Sequence, residues 1–352
     1  MPFTYPTNFE LSEIQADLMA QGREGRIWLD LMPPIMKNAG SVRWTQMDNY
    51  FGLQNLRGAD GQPSRVQRLG QKIYNYEPGV FGEFEVITET ELLNRAGSVA
   101  TSVPIPIDDL VIAGQTQLIN REYDRMEASI STLLSTGTLS IKIDGPNGLQ
   151  TGYSDTYTTQ TFTAAVPWAT VATATPIQNF QAVQQLGVGI SVDLGAGAVA
   201  IMNSVTSNRL LNNTNAADFG GKRSNYGATL NNLTNINQYL LAQNLPQIQV
   251  DDRGYYPKYG QSGGVSAGFT KFIADGKVVV IGKRPGNAKV GEYQMTRNIS
   301  NPNGTPGPYM FIKDYIQGVN AEKRVPGSIE IHRGHNGGPA IYYPSAVVIM
   351  SV

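Results

Sequence analysis

The chain offers few side chains that could carry chemistry, and its only two histidines come first. His332 and His335 lie in the segment "IHRGHNGGP", separated by Arg333 and Gly334. Two imidazoles could bind a metal ion only with further ligands, and the sequence shows no partner for them nearby. A surface turn is the favoured interpretation of this segment. We therefore expect no metal and no cofactor.

A glycine-rich segment is the second candidate for chemistry. "GAGAVA", residues 195–200, has the first two glycines of a dinucleotide-binding fingerprint but alanine at the third position. The acidic residue expected about 20 positions later would be Asp218, which lies in an Asn- and Gly-rich stretch. Close packing of small residues is the favoured interpretation, and no Walker-type phosphate loop is present.

Carboxylates are the third candidate. Glu122, Asp124 and Glu127 occur together in a helical pattern, next to Arg121 and Arg125. Because the arginines can neutralise them along the helix, we interpret these residues as a solvated or interface face rather than as an acid–base pair. The chain has no cysteine, which excludes disulfides and thiolate catalysis. No catalytic residue is predicted, and an enzyme is not expected.

The clearest polar feature is a separation of charge along one predicted hairpin. Its first part is basic apart from Asp60, and its second part is acidic. Such a hairpin could dock against another copy of itself, or its two limbs could neutralise each other. The residues are Arg57, Arg65, Arg68 and Lys72 on the basic side, and Glu77, Glu83, Glu85, Glu89 and Glu91 on the acidic side.

Composition supports extensive contact between subunits. Of the 352 residues, 41% are hydrophobic and only 16% are charged, below the roughly 25% of an ordinary soluble domain. Neutral polar side chains cost less to remove from water than charged ones. The net charge of −1 gives no strong attraction to nucleic acid or to an anionic membrane. The N-terminal residues show no secretory signal, and no apolar run is long enough to span a bilayer.

The predicted elements form an irregular α+β order. An arm of residues 1–40 contains a short helix near Ser12 to Ala20. Residues 41–87 form a long hairpin, which we expect to project from the body and cover a neighbour. A helix of about 30 residues begins near Asp108 and ends at Gly137. A strand with alternating Leu139, Ile141 and Ile143 follows it directly.

Later segments alternate without a regular βαβ pattern. Helices are predicted in "TPIQNFQAVQQLG", in "SVTSNRLLNN" with Ser204 as its cap, and in "LNNLTNINQYLLAQ"; strands are predicted in "GYSDTYTTQTFTAA", "QIQVD", "KVVVIG", "SIEIHR", "AIYY" and "AVVIM".

The order of these elements resembles that of tailed-phage major capsid proteins with the HK-ninety-seven-type fold. More narrowly, the chain resembles the lambda-like major capsid protein E family. No single motif is specific, but their order is. The segments that carry the resemblance are "REYDRMEASISTLLSTGTLSI", "GAVAIMNSVTSNRLL", "LPQIQVDDRGYYP", "KVVVIGKRPG" and "GGPAIYYPSAVVIMSV".

The resemblance implies four parts of the chain. Residues 1–40 would be an N-terminal arm, and residues 41–97 an extended loop with a flanking helix. Residues 98–165 and 323–352 would form a peripheral domain, and residues 166–322 an axial domain.

It also implies partners and a location. The subunits would assemble into hexamers and pentamers of an icosahedral shell around double-stranded DNA, with little specific binding to that DNA. The shell would include a portal protein and could carry a decoration protein. It would be assembled in the host cytoplasm and remain in the virion. Forty residues are too short for a fused scaffolding domain, so we expect a separate scaffolding protein.

Two alternatives remain open from sequence. An encapsulin-type nanocompartment has the same fold and would enclose cargo proteins instead of DNA. An enzyme of unrelated α+β fold is the other.

Overall fold

The computed structural model describes most of the chain, in a series of segments. The described residues are 3–4, 19, 22–46, 53–54, 56–57, 59–62, 72–88, 90–91, 94, 105–106, 108–145, 148–213, 232–256, 268–284, 289–298, 305–314 and 328–352. The predicted arm helix at Ser12 to Ala20, apart from Met19, and Leu92 and Leu93 of the flanking helix lie outside them, as do residues 47–52 and 63–71 of the hairpin.

The elements follow one another in a mixed order. The helices are α1 (Ile27–Leu31), α2 (Asp108–Thr136), α3 (Pro176–Leu186), α4 (Ser204–Leu211) and α5 (Leu233–Ala242), with a 3₁₀ turn at Pro344–Ala346. The strands are β1 (Phe3–Thr4), β2 (Pro34–Met36), β3 (Val42–Gln46), β4 (Lys72–Tyr76), β5 (Gly79–Ile87), β6 (Ile105–Pro106), β7 (Thr138–Gly145), β8 (Gly148–Thr156), β9 (Gln160–Thr163), β10 (Val199–Met202), β11 (Gln247–Val250), β12 (Gly254–Tyr255), β13 (Thr270–Lys271), β14 (Lys277–Ile281), β15 (Gly291–Met295), β16 (Tyr309–Asp314), β17 (Ile329–Ile341) and β18 (Val347–Ser351).

Helix α2 is a single element of 29 residues that leads directly into β7, as the sequence predicted. Gly137 makes the transition with a φ of +71°, a conformation that favours glycine. A side chain at Gly137 would also meet the Thr159 hydroxyl at 2.8 Å from its Cβ. The predicted inner face of the helix is confirmed, because Met126, Ile130 and Leu133 have no exposed surface.

A five-stranded sheet packs against α2, and we call it the long-strand sheet. Its centre is β17, thirteen residues long. Strands β16 and β5 pair with the first part of β17, and β15 pairs with its last part and with β2. Ile329 and Ile331 of β17 are buried, and Ile331 approaches Gly114 of α2. One face of β17 therefore lies under the helix.

The core sheet has the strand order β11-β10-β14-β18-β9. Its central strands are buried along nearly their whole length, as expected for continuous apolar runs such as "KVVVI" and "VVIM". β14 pairs antiparallel with both β10 and β18, so the last strand of the chain lies inside the sheet, beside β14. The predicted strands in these segments are confirmed.

The hairpin differs from its prediction. β3 and β4 pair as expected, and their base is held by Trp44, which stacks on Tyr74 with ring centroids 5.1 Å apart. The return limb does not project, however. β5 pairs with β17 over nine residues, from Ile87 opposite Ile329 to Gly79 opposite Gly337. The expectation that residues 41–87 extend as a unit was therefore wrong for β5, which belongs to the body.

Three smaller predictions can be compared directly. Helices α3 and α5 lie where the apolar periodicity placed them. The cap of α4 is Asn203 rather than Ser204, because the Asn203 side chain accepts a hydrogen bond from the Thr206 amide at 2.8 Å. The predicted Tyr- and Thr-rich strand is divided into β8 and β9.

Strand pairing does not follow the predicted domain boundary at residue 322. β15 and β16 precede that boundary but pair with β17, which follows it. β18 also follows it but pairs with β14 of the core sheet. The division into peripheral and axial domains stays a prediction.

Candidate functional site

The first polar site lies between α2 and the long-strand sheet. Glu122 of α2 accepts a hydrogen bond from Nε of Arg333. His335 Nδ1 lies 3.2 Å from the second carboxylate oxygen of Glu122, and His335 Nε2 is 3.0 Å from the Tyr293 hydroxyl. All four side chains are buried. We call this group, Glu122, Tyr293, Arg333 and His335, the sheet cluster.

The buried charges of the sheet cluster have few neighbouring groups that could balance them. Burial opposes ionisation of Glu122, but the nearby His335 imidazole and the Arg333 guanidinium outweigh it and hold the Glu122 pKa below its usual range. Nη1 and Nη2 of Arg333 have no hydrogen-bond partner among the described residues, so Glu122 is the counter-charge of this guanidinium. Burial raises the pKa of Tyr293, which keeps its hydroxyl neutral. The cluster is a buried structural connection without access for a substrate.

The second polar site lies one turn further along α2. Glu127 is completely buried and receives two arginines. Arg26, just before α1, places Nη1 at 2.8 Å from Glu127 Oε2, and Arg253 places Nη2 at 3.1 Å from Oε1. Arg253 also contacts Asp251 at 2.9 Å, and Arg26 contacts Asp124 at 2.6 Å. We call this group the arm cluster, because it joins the segment before α1 to α2 and to the chain after β11.

Burial dominates the electrostatics of the arm cluster. Removal from water raises the pKa of Glu127 above its usual range, although Arg253 and Arg26 both oppose the increase. Asp251 has a second partner, because its Oδ2 accepts a hydrogen bond from Trp28 Nε1 at 2.8 Å. Trp28 is itself fully buried. The cluster therefore fixes the residues before α1 against the centre of the molecule.

The two clusters correct the interpretation of the helix carboxylates and of the histidines. Glu122 and Glu127 do not form a solvated face, and only Asp124 is substantially exposed, at 40%. His335 is buried in β17 instead of lying in a surface turn. His332 lies in the same strand, 2.8 Å from Glu330.

Arg26, Tyr293 and Arg333 were not predicted as partners of these carboxylates. A signal was available for Arg333, because Ile329, Ile331, Arg333 and His335 alternate on one face of a strand.

The charged hairpin residues are spread over three places. Arg57 and Asp60 are exposed near the tip, and Arg57 donates to the Gly61 carbonyl at 3.0 Å. Lys72, on β4, lies 4.6 Å from the centre of the Tyr74 ring, and Glu77 is exposed after β4. Arg65, Arg68 and Glu89 are outside the described residues.

The acidic part of the hairpin lies beside α2. Arg121 of α2 donates to Glu83 of β5 at 2.7 Å, and this hydrogen bond lowers the pKa of Glu83. The pKa of Glu85 is instead raised, first by burial and then by the nearby charge of Glu91. A groove of about 590 Å³ runs here between β5 and α2, bordered by Glu83, Glu85, Glu91 and Arg121. Part of the acidic charge is thus neutralised within the chain, but by α2 and not by the basic limb.

The other candidates for chemistry are structural. In "GAGAVA" a Cβ at Gly195 would lie 2.7 Å from the Asn244 carbonyl oxygen, and one at Gly197 would lie 2.7 Å from the Asp193 carboxylate. The segment leads into strand β10, whereas a dinucleotide fingerprint follows a strand and opens a helix. Close packing is therefore confirmed.

Among the described residues, no group of three or more acidic or histidine side chains could hold a metal ion. None of the described helices is long and apolar enough to cross a membrane.

Comparison with known proteins gives a match in structure but not in sequence. No protein-family model and no curated protein matches the sequence. Among solved structures, the chain is similar to a prophage capsid protein of Escherichia coli CFT073, with a TM-score of 0.56 and 13% identity over 96% of this chain and 97% of the other. It is also similar to a phage-related protein of Bordetella bronchiseptica RB50, with a TM-score of 0.55 and 10% identity over 96% of each chain.

These matches cover nearly the whole chain in both directions, so the similarity is not limited to one motif or one domain. The chain has the α+β HK-ninety-seven-type capsid fold, and the predicted fold class is confirmed.

Proposed function

We propose that this chain is the major capsid protein of a tailed bacteriophage. The observation that carries the proposal is the similarity in fold to a prophage capsid protein over 96% of this chain. In this function copies of the chain associate into hexamers and pentamers, and these close into an icosahedral shell around double-stranded DNA.

The polar sites fit a structural role. The sheet cluster and the arm cluster are buried and tie α2 to β15, to β17 and to the segments around Arg26 and Arg253. Such connections make the subunit a stiff unit, which a wall under internal pressure requires. The net charge of −1 fits a shell that encloses DNA without binding it tightly. Each contact with a DNA phosphate would add an attraction that DNA packaging must overcome.

The finer assignments are part of the same proposal. Residues 1–40 serve as an arm, and residues 41–97, apart from strand β5, serve as a loop with its flanking helix. Residues 98–165 and 323–352 form the peripheral domain, and residues 166–322 the axial domain. A portal, a separate scaffolding protein and a decoration protein are the proposed partners. Assembly in the host cytoplasm and residence in the virion are the proposed locations.

The test is to express the full chain and analyse the product by sedimentation and electron microscopy of negatively stained material. A capsid protein yields closed particles, either alone or with the scaffolding protein encoded beside it. A chain that stays monomeric in both conditions contradicts the proposal. Particles are then opened and their contents analysed, because double-stranded DNA in particles from infected cells supports a capsid and a specific enclosed enzyme supports a nanocompartment.

A further inference from the structure

Strand β5 lies at one edge of the long-strand sheet. Among the described strands it pairs with β17 alone, so no described strand pairs with the backbone N–H and C=O groups of its other edge. The strand is nine residues long, whereas natural proteins commonly keep edge strands short or protect them against pairing. A long edge of this kind can accept an additional strand from another chain.

The groove between β5 and α2 follows this edge, and we call it the edge groove. Five consecutive residues of β5, 82–86, line it. Because successive side chains of a strand point to opposite faces, a groove lined by all five includes the strand edge itself. Gln117, Leu118 and Arg121 of α2, together with Glu91, form the rest of the lining.

The outer face of β5, directed away from α2, is apolar. Val80 is 75% exposed and Phe84 is 57% exposed, and Gly82 lies between them on the same face. An added strand with apolar side chains on this face would cover both exposed side chains. The outer face therefore favours a partner strand that is apolar at alternate positions.

The face of β5 directed toward α2 is acidic. Arg121 neutralises Glu83, but none of the described residues forms an ion pair with Glu85. Burial, and next the charge of Glu91, raise the pKa of Glu85. A lysine or arginine opposite Glu85 would offset both effects, so charge complementarity favours a basic side chain here.

Two segments of this chain fit the edge groove poorly. A second β5, paired antiparallel, would bring Glu83 and Glu85 of the two copies onto one face, where like charges destabilise the pairing. In the basic part of the hairpin, Arg65 and Arg68 are three positions apart. In an extended strand they would point to opposite faces, so both could not lie on the acidic side. These mismatches favour a segment of a different protein.

We propose that the edge groove binds an extended segment of a partner protein, which adds a strand to β5 and alternates lysine or arginine with apolar residues. Its basic side chains lie opposite Glu85 and near Glu91, and its apolar side chains lie beside Phe84 and Val80. Backbone hydrogen bonds to β5 supply affinity, and the alternating side chains supply specificity. The inference goes beyond the proposed function and does not rest on it, since it concerns the single subunit.

The experiment uses a fluorescein-labelled peptide of alternating valine and lysine, with the nine-residue length of β5. The unassembled full chain is titrated into it, and fluorescence polarisation should show saturable binding. One control peptide has glutamate in place of lysine. The other is methylated at its backbone nitrogens, which keeps the side chains and their charge but removes the donors that strand pairing needs. Each control should bind about tenfold more weakly or worse.

Variants of the chain locate the binding site. Glu85→Gln combined with Glu91→Gln removes two negative charges from the groove, and Phe84→Ser removes the apolar contact. Each should weaken binding of the valine–lysine peptide about tenfold. Glu77→Gln is the matched control, because Glu77 is exposed but does not line the groove, and it should leave binding unchanged. Thermal unfolding of each variant checks that the fold is intact.

The other occupants and explanations are outcomes of the same titration. A peptide of residues 63–71 that binds more tightly than the valine–lysine peptide would assign the groove to a second copy of this chain and overturn the proposal. Equal binding of the methylated peptide would show charge attraction without strand addition. Unchanged binding by the groove variants would place the peptide elsewhere, and either result, like an absence of saturable binding, contradicts the inference. A subunit that binds the peptide but never forms particles contradicts only the proposed function.

Discussion

At the residue scale, the burial of Glu122 predicts that this residue contributes strongly to the stability of the fold. Its carboxylate is the counter-charge of Arg333, and both side chains are almost completely buried. Glu122→Gln would leave the guanidinium in the interior without a negative partner, so it should lower the free energy of unfolding by about 3–5 kcal/mol. The measurement is urea unfolding of the unassembled subunit.

The matched control for Glu122 is Asp124→Asn, two residues away on the same helix. Asp124 also contacts an arginine, Arg26, but its side chain is 40% exposed. Because a partly exposed ion pair contributes about 0–1 kcal/mol, this variant should stay close to the wild type. Equal losses in the two variants would show that burial does not determine the contribution of the sheet cluster.

The Glu122 carboxylate should also make the free energy of unfolding depend on pH. The pKa of Glu122 is lower in the folded chain than its ordinary value of 4.5, so ionised Glu122 stabilises the fold at neutral pH. That contribution is present above the unfolded pKa and is lost as the pH falls through the lower, folded pKa. The difference in unfolding free energy between wild type and Glu122→Gln should therefore shrink between pH 6 and pH 3. Urea unfolding at several pH values tests this, and a constant difference would contradict it.

Individual polar residues were the hardest feature to predict from sequence. Glu122, Asp124 and Glu127 look alike in the sequence, yet their surroundings differ because their partners lie far away in the chain. Arg26, Arg253 and Arg333 approach α2 only after folding. Burial of His335 was accessible, because it continues the alternation that begins at Ile329.

At the element scale, the buried stripe of α2 should tolerate no charge. Ile130 has no exposed surface, so Ile130→Asp would place a carboxylate without a partner in the core and should destabilise the fold by several kcal/mol. Thr132→Asp is the control, because Thr132 is exposed on the same helix. Circular dichroism during thermal unfolding compares them. A folded Ile130→Asp subunit with wild-type stability would contradict the assigned face.

Elements with strong local patterns were predictable, and long-range pairing was not. The helix pattern of α2 and its change to alternation at Gly137 lie within one short stretch, so both could be recognised from sequence. The pairing of β5 with β17 joins segments about 250 residues apart. Nothing in the local sequence of β5 distinguishes a projecting limb from a strand of the body, because strand stability depends on its neighbours.

At the scale of the whole molecule, the two kinds of surface should respond differently to salt. Helices α3 and α5 carry no charged residue, whereas charged residues are exposed on the hairpin and beside α2. A closed shell repeats each contact in every subunit, so small pairwise contributions accumulate. The salt dependence of assembly should therefore come mainly from the hairpin charges.

Reversal of the basic limb tests this directly. Arg65→Glu combined with Arg68→Glu should raise the subunit concentration needed for assembly several-fold at low salt, if the basic limb docks on an acidic surface of a neighbour. The free energy of unfolding of the unassembled subunit should change by less than about 0.5 kcal/mol, because the proposed contact is made only between assembled copies. At about 0.5 M salt the wild type should weaken toward the variant, because exposed pairs are screened. Light scattering against subunit concentration at two salt concentrations gives the comparison.

The structure also indicates which acidic residues to change for a rescue. Glu83 already binds Arg121 of its own chain, so changing it would break a contact within the subunit. Glu77 is exposed, and Glu85 has a raised pKa, caused by burial and by the charge of Glu91, that a basic partner would relieve. Glu77→Lys with Glu85→Lys should therefore restore assembly of the reversed variant. If the reversed variant assembles like the wild type at low salt, the charges only solvate the hairpin and no docking between copies depends on them.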